Sequence, residues 1–170
     1  MALRGRPVLL DTNTIIEAWR VGGWKALAGG HRLETVETVT METLTGFQRR
    51  RREQQIDPAV LRQSLQAVHK VEDIARAELA LRASDIALDA GERDLWAHAL
   101  GREDAWVMCG PDKASLRIGV RLGLRERLVS LEALANEVGL NVRGKLRENF
   151  TQRWLAAALS AMVVAEETTR

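Results

Sequence analysis

The stretch PVLLDTNTIIEAW, residues 7–19, decides the fold class of this chain. It opens with a short apolar run that stops at a carboxylate, Asp11, as a buried parallel strand does when it ends at the edge of a sheet. Thr12 or Asn13 can then cap a helix that carries an apolar face. A strand that leads directly into a helix is the first half of a βαβ unit.

The same alternation of apolar runs and helical patterns continues to about residue 140. Further strands are predicted at 33–39, 105–109 and 127–131. Helices are predicted at 40–55, at 57–83 as one helix or two, and at 93–100, 113–122 and 132–139. This order predicts an α/β domain, a three-layer α/β/α sandwich with a central parallel sheet. We assign that domain to residues 1–140 and a C-terminal helical extension to residues 141–170.

Composition limits the function classes. The chain has 170 residues, 46% of them apolar, and a net charge of +2, so any contact with nucleic acid must come from a local patch. The longest apolar run, 154–165, is shorter than the about 20 residues that span a bilayer. The first residues show no signal-peptide pattern, and the lone Cys109 cannot form an internal disulfide. We therefore expect a cytoplasmic protein without a membrane segment.

Acidic residues fall where the predicted strands end. Asp11 and Asp112 follow strands, Glu42 lies in the helix after the second strand, and Glu92 and Asp94 open the helix before the strand at 105–109. Strand carboxyl ends share one edge of a parallel sheet, so these acids can converge. An all-oxygen cluster suits Mg²⁺ or Mn²⁺, and two such ions can activate water and stabilise the leaving oxygen of a phosphodiester. For Glu42, Glu92 and Asp94, a simpler role in complementing a helix dipole stays open.

Four blocks, in this order, resemble the PIN-domain nucleases: VLLDTNTIIEAW, TVTMETL, LDAGERDLWAHAL and AWVMCGPDKASLRIGVRLGL. The resemblance covers about residues 5–138. It implies that five acids are catalytic and bind the metal: Asp11, Glu42, Glu92, Asp94 and Asp112. It also implies that Asn13 helps to organise these ligands.

The resemblance further implies a metal-dependent endoribonuclease that leaves 5′-phosphate and 3′-hydroxyl ends. Many small single-domain members are toxins of bacterial toxin–antitoxin pairs, so we expect a toxin, with RNA as substrate and an antitoxin protein and a second copy of the chain as partners. A housekeeping RNA-processing nuclease and a catalytically inactive PIN-like scaffold remain alternatives. The chain departs from the family at Gly110, where a Thr or Ser is frequent; Ser115 can replace that hydroxyl.

Two basic groups are predicted to contact RNA phosphates: Arg49, Arg50, Arg51 and Arg52, and then Lys113 with Arg117. A solvated helix surface is the alternative for both. Among the five tryptophans, we expect Trp24 to be the most exposed. In the extension, an apolar stripe predicts packing on the domain, on a second copy or on an antitoxin: Leu146, Phe150, Trp154, Ala157, Ala158, Ala161, and Val164 or Ala165.

Overall fold

A parallel β-sheet organises the protein, whose computed structural model describes residues 3–45, 51–52 and 55–168. Within these residues the strands are β1 (Pro7–Leu10), β2 (Arg32–Val36), β3 (Ala67–His69) and β4 (Val107–Cys109). They form one sheet in the order β3-β2-β1-β4, with every pair parallel. All four residues of β1 are buried, as its unbroken apolar sequence requires in a sheet covered on both faces.

Helices connect and cover the strands. They are α1 (Thr12–Arg20), α2 (Trp24–Gly30), α3 (Glu37–Leu44), α4 (Pro58–Ser64), α5 (Asp73–Ala83), α6 (Ala90–Leu100), α7 (Lys113–Arg121), α8 (Leu131–Glu137) and α9 (Gln152–Thr168). Helices α3, α5 and α6 pack together, with α6 against β1 and β2, while α2 packs against β2, α4 and α8. The predicted α/β class with a parallel sheet is confirmed, and the arrangement is compatible with a three-layer sandwich.

Several predicted boundaries are wrong. The strand at 33–39 ends at Val36, and α3 begins at Glu37 rather than at Thr40. The β-branched residues of this stretch alternate, but Val36, Val39 and Thr43 also recur at helical spacing, and all three are buried. Asp11, rather than Thr12 or Asn13, caps α1.

Other differences concern whole elements. The stretch 57–83 contains the short strand β3 between α4 and α5, and the glycine-rich stretch before β2 contains α2. The predicted strand at 127–131 is reduced to a single parallel bridge between Met108 and Leu128. A 3₁₀ turn, Arg125–Arg127, precedes that bridge, and α8 begins at Leu131. β3 and the single bridge at Leu128 are too short to produce a visible alternating pattern in the sequence, because such a pattern needs several residues.

The C-terminal segment packs on the domain along one side of α9. Trp154, Leu155, Ala158, Leu159 and Met162 are partly buried against the core. Phe150, in the 3₁₀ turn Glu148–Phe150, is buried. Of the predicted stripe, Ala157, Ala161, Val164 and Ala165 are exposed, because the contact face is rotated toward Leu155 and Leu159.

Trp24 is buried, with 4% of its surface exposed, so the expectation that it is the most exposed tryptophan is wrong. Its indole N–H donates a hydrogen bond to the Ser64 hydroxyl over 2.8 Å. None of the helices in residues 3–45 and 55–168 is both long enough and apolar enough to cross a lipid bilayer.

Candidate metal centre

Three helices begin with an aspartate at the edge of the sheet where the strands end. Asp11, Asp89 and Asp112 are the N-cap residues of α1, α6 and α7. In each, Oδ1 accepts a hydrogen bond from a backbone N–H of the first helical turn, at 2.7–2.8 Å. An N-cap needs only one carboxylate oxygen, so each side chain keeps Oδ2 as an oxygen that can reach a cation.

Glu92 joins the three caps from the first turn of α6. Its Oε2 accepts the backbone N–H of Asp89 over 3.2 Å, which completes a reciprocal capping box. Burial raises the pKa of Glu92 to about 8, and the charges of Asp112 and Asp89 add to that rise. Asp112 therefore lies close enough to Glu92 to disfavour its ionised form.

The Asp11 carboxyl group is similarly perturbed. It is 6% exposed at the end of β1. Burial raises its pKa to about 7 against the hydrogen bonds from Thr14, and the charges of Asp89 and Asp112 add to that rise. The effect of these two charges indicates that Asp89 and Asp112 lie near Asp11.

Glu42 reaches the cluster from α3. Its Oε1 accepts the backbone N–H of Gly91 over 2.9 Å, and its Oε2 accepts the Thr12 hydroxyl over 3.0 Å. A Cβ atom at residue 91 would lie 2.4 Å from the Glu42 carboxylate, so this close approach requires glycine. Glu42 and Glu92 line one small pocket together with Asp11 and Asp89.

A second glycine contacts Asp11. A Cβ atom at residue 110 would lie 3.0 Å from the carboxyl carbon of Asp11, tighter than an ordinary contact. A serine or threonine at residue 110 would therefore require the Asp11 side chain to give way by a few tenths of an ångström. The sequence predicts that Ser115 supplies this hydroxyl instead. Its hydroxyl accepts the indole N–H of Trp96 over 2.8 Å, and the residue is 6% exposed.

Asp94, predicted to belong to the cluster, lies elsewhere. It follows Glu92 by two residues, so it points about 200° around the helix from Glu92. Its carboxylate accepts two hydrogen bonds from Arg76, at 2.7 and 2.9 Å, and one from the Thr38 hydroxyl. Burial alone would raise the pKa of Asp94, but these hydrogen bonds outweigh it and lower the pKa. The structure therefore moves Asp94 out of the cluster and places Asp89 in it.

Four acids of the cluster have no counter-ion in the part of the chain that the structure describes. Among the described residues, no Arg, Lys or His forms an ion pair with Asp11, Asp89, Glu92 or Asp112.

The sequence contains a signal for Asp89, since Asp-x-x-Glu is the pattern of a capping box. That pattern indicates the start of a helix and does not indicate a metal ligand.

The remaining predicted site residues fall in three places. Asn13 is exposed and lines the same pocket as Asp11. Lys113 and Arg117 line a groove between α7 and α9; Lys113 directly follows Asp112, and Arg117 lies one turn further along α7. Arg51 and Arg52 are exposed, whereas Arg49 and Arg50 lie outside the described residues.

The sequence matches no model of a known protein family, and no curated protein is significantly similar to it. Functional assignment therefore depends on the residues themselves: four elements bring five carboxylates, Asp11, Glu42, Asp89, Glu92 and Asp112, to one edge of a parallel sheet.

Proposed function

We propose that the protein is a PIN-type, metal-dependent endoribonuclease that acts in the cytoplasm and uses Mg²⁺ or Mn²⁺ at the carboxylate cluster. The observation that carries the proposal is the convergence of Asp11, Asp89, Glu92 and Asp112, none of which forms an ion pair with a described residue. Such a cluster is costly in a metal-free protein, and a bound divalent cation removes the cost.

The donor set fits this kind of ion. Every side chain in the cluster offers carboxylate oxygen, which hard cations prefer, whereas zinc and copper prefer imidazole and thiolate. Cys109 is buried at the end of β4, and burial holds the pKa of its thiol above the usual range, so it is a poor ligand. A bound divalent ion supplies water activation and stabilises the leaving oxygen in phosphodiester cleavage.

The residues of the chain have separable roles in this proposal. Asp11, Asp89 and Glu92 line one pocket, and the charge of Asp112 acts on Asp11 and on Glu92, so these four acids would hold the ion. Glu42 is fixed by the Gly91 amide and the Thr12 hydroxyl, which orient its carboxylate. Because the pKa of Glu92 is raised to about 8, the metal-free cluster retains a proton at neutral pH. Cation binding would release that proton.

The basic groove favours a phosphate-rich substrate. Lys113, Arg117 and Arg121 recur every four residues along α7, whose N-cap is Asp112. Positions four apart lie about 6 Å apart on one helix face. Arg121 is already paired with Asp85 and Glu166, so we assign Lys113 and Arg117 to phosphate contacts.

Cleavage of single-stranded RNA tests the proposal. We expect Mg²⁺- or Mn²⁺-dependent cleavage that leaves 5′-phosphates and stops in EDTA. Asp112→Asn should abolish cleavage, because an asparagine still caps α7 but is a poor ligand. Asp57→Asn is the matched control, since Asp57 caps α4 through the same kind of hydrogen bond, 2.9 Å from its Oδ1 to the Ala59 N–H. Cleavage that persists in EDTA would refute the metal mechanism, and a failure to bind Mn²⁺ would favour the scaffold alternative.

As biological role we propose the toxin of a bacterial toxin–antitoxin pair, with an antitoxin protein and a second copy of the chain as partners. Expression in bacteria should then arrest growth, and Asp112→Asn should relieve the arrest. An active nuclease whose expression does not slow growth would favour the housekeeping RNA-processing role.

A further inference from the structure

A second group of metal-binding side chains lies away from the carboxylate cluster. Glu34 comes from the middle of β2, His69 ends β3, and His98 lies near the end of α6, two turns beyond Glu92. Glu34 Oε2 is 2.8 Å from His69 Nε2, and the two imidazole rings stack with centroids 4.0 Å apart. One ligand atom from each of the three residues lies within 4.8 Å of the others.

A cationic nitrogen already lies between these groups. Arg102 Nη1 donates to Glu34 Oε2 over 2.6 Å and lies 3.1 Å from His98 Nε2. A guanidinium nitrogen can only donate, so His98 Nε2 accepts and directs its lone pair at Nη1. Burial, with the nearby His69 and Arg102, lowers the pKa of His98 to about 4, which keeps this imidazole neutral at physiological pH.

Arg102 is anchored outside the cluster as well. Its Nε and Nη2 atoms donate to the two oxygens of Asp104 over 2.8 and 2.6 Å. Nη1 takes no part in that bidentate pair. Because the guanidinium is planar, Nη1 can leave Glu34 and His98 only if Asp104 moves with it, and the Asp104 side chain is 45% exposed and has room to do so.

We propose that Glu34, His69 and His98 form a binding site for a transition metal ion such as Zn²⁺, which exchanges with the Arg102 Nη1 group. Two imidazoles and one carboxylate form a common zinc donor set, and imidazole is a poor ligand for Mg²⁺. The side chain of Glu34 is 4% exposed, whereas that of His69 is 29% exposed, so an ion can enter from the side of β3. The inference does not rest on the proposed nuclease activity.

Such an ion would join three elements. β3 is only three residues long and is partly exposed. A metal bound to Glu34, His69 and His98 would connect it to β2 and α6. Because an ion that binds only the folded state stabilises that state, Zn²⁺ should raise the melting temperature.

Zinc titration of the tag-free protein tests the site. The protein is stripped with a chelator and kept in a large excess of Mg²⁺, so that the carboxylate cluster is not available to zinc. Calorimetry should then show one Zn²⁺ per chain. His69→Gln keeps a hydrogen-bonding side chain beside Glu34 and should weaken zinc binding at least about tenfold. Asp11→Asn is the matched control and should bind zinc as the unmodified protein does.

The exchange with Arg102 has its own test. Arg102→Met removes the competing cation and should tighten zinc binding by about tenfold or more. Unchanged affinity in this variant would overturn the exchange. Absent zinc binding, or zinc binding that His69→Gln does not weaken, would overturn the site itself.

Imidazole NMR resonances of the unmodified protein provide a readout that needs no variant. The chain has three histidines. His69 and His98 should shift on addition of Zn²⁺. His31, buried with its Nε2 2.8 Å from the Leu134 carbonyl oxygen, should not. A shift at His31 alone, or at none of the three, would contradict the proposal.

Discussion

Two buried acids on different faces of helix α6 differ in whether a positively charged side chain faces them. Glu92 and Asp94 are both buried, with 8% and 1% of their surfaces exposed. Asp94 faces the guanidinium of Arg76, which lowers its pKa, whereas Glu92 faces Asp112 and Asp89, and its pKa is raised. Burial therefore does not distinguish a structural acid from a candidate metal ligand in this protein, whereas the presence or absence of a nearby positive charge does.

Glu34 and Asp11 also differ in whether a positively charged side chain faces them. Glu34 is buried like Asp11, but Arg102 and His69 donate hydrogen bonds to it, and together these outweigh burial and lower its pKa. The fold thus neutralises Glu34 and Asp94 with its own cations. Among the described residues it supplies no such cation to Asp11, Asp89, Glu92 or Asp112, where we propose that a metal ion binds.

The largest expected effect separates Glu92 from Asp94 in catalysis. Glu92→Gln should reduce metal-dependent RNA cleavage at least about a hundredfold, since a lost ligand removes several kcal/mol of charge stabilisation. Asp94→Asn should keep the metal dependence and a near-normal affinity for Mn²⁺ at temperatures where it is folded. Mn²⁺ titration with cleavage assays checks both variants. Equal losses in the two would erase the distinction drawn here.

Stability should show the opposite order. Asp94→Asn breaks a buried, doubly hydrogen-bonded ion pair and should lower the free energy of unfolding by about 1–3 kcal/mol. Asp11→Asn should leave the metal-free protein as stable or more stable, because asparagine still caps α1 and removes a repelling charge. Urea unfolding in EDTA measures both. A strongly destabilised Asp11→Asn variant would show that Asp11 is a structural acid.

The pH dependence of metal-free stability should carry the signature of raised carboxyl pKa values. Between pH 4 and pH 7 the native Asp11 holds a proton that the unfolded chain has released, because its pKa is raised from 3.8 to about 7. The free energy of unfolding should therefore fall as pH rises through this window, by at most about 1.4 kcal/mol per pH unit for one group. Glu92 extends the window to about pH 8.

Other groups also titrate in this range, so the informative quantity is the difference between the unmodified protein and Asp11→Asn. That difference should grow with pH in EDTA, in favour of the variant. With saturating Mg²⁺ it should reverse, because the ion binds the deprotonated cluster of the unmodified protein. A difference that does not vary with pH would show that the two states hold the Asp11 proton equally.

The smallest effect concerns substrate affinity. Changing both Lys113 and Arg117 to Gln should reduce the slope of log affinity against log salt by roughly 0.7 for each lost phosphate contact. Arg62→Gln with Arg82→Gln, at exposed positions on α4 and α5, is the matched control for net charge. Changing Arg49, Arg50, Arg51 and Arg52 to Gln and measuring the same salt slope tests whether these arginines also contact phosphates. A slope that falls equally in the control would assign binding to overall charge.

How far the sequence predicts this molecule depends on the range of the interactions. The local sequence is sufficient to predict the strand at 7–10 and the acid that ends it, because an apolar run that stops at a carboxylate is typical of a buried parallel strand. The helix that opens near Glu92 was likewise predictable from its turn signals. These elements were enough to predict the parallel sheet and the edge at which Asp11 and Asp112 meet.

The predictions that failed depend on tertiary contacts. The local sequence does not indicate that Arg76, on a different helix, neutralises Asp94. Glu92 and Asp94 both lie near the start of α6, so the sequence pattern predicts either of them equally well as a metal ligand. The hydrogen bond from Trp96, on α6, to the Ser115 hydroxyl is likewise a tertiary contact that no local pattern indicates. β3 is too short for its pairing with β2 to appear as an alternating pattern.

The contact between Gly110 and Asp11 limits which sequences this chain can reach by single substitutions. A serine at residue 110 would introduce the hydroxyl that the resemblance to PIN-domain nucleases leads us to expect, yet its Cβ would lie 3.0 Å from the carboxyl carbon of Asp11. The Asp11 side chain would then have to move by a few tenths of an ångström. A substitution at residue 110 is therefore coupled to the orientation of Asp11.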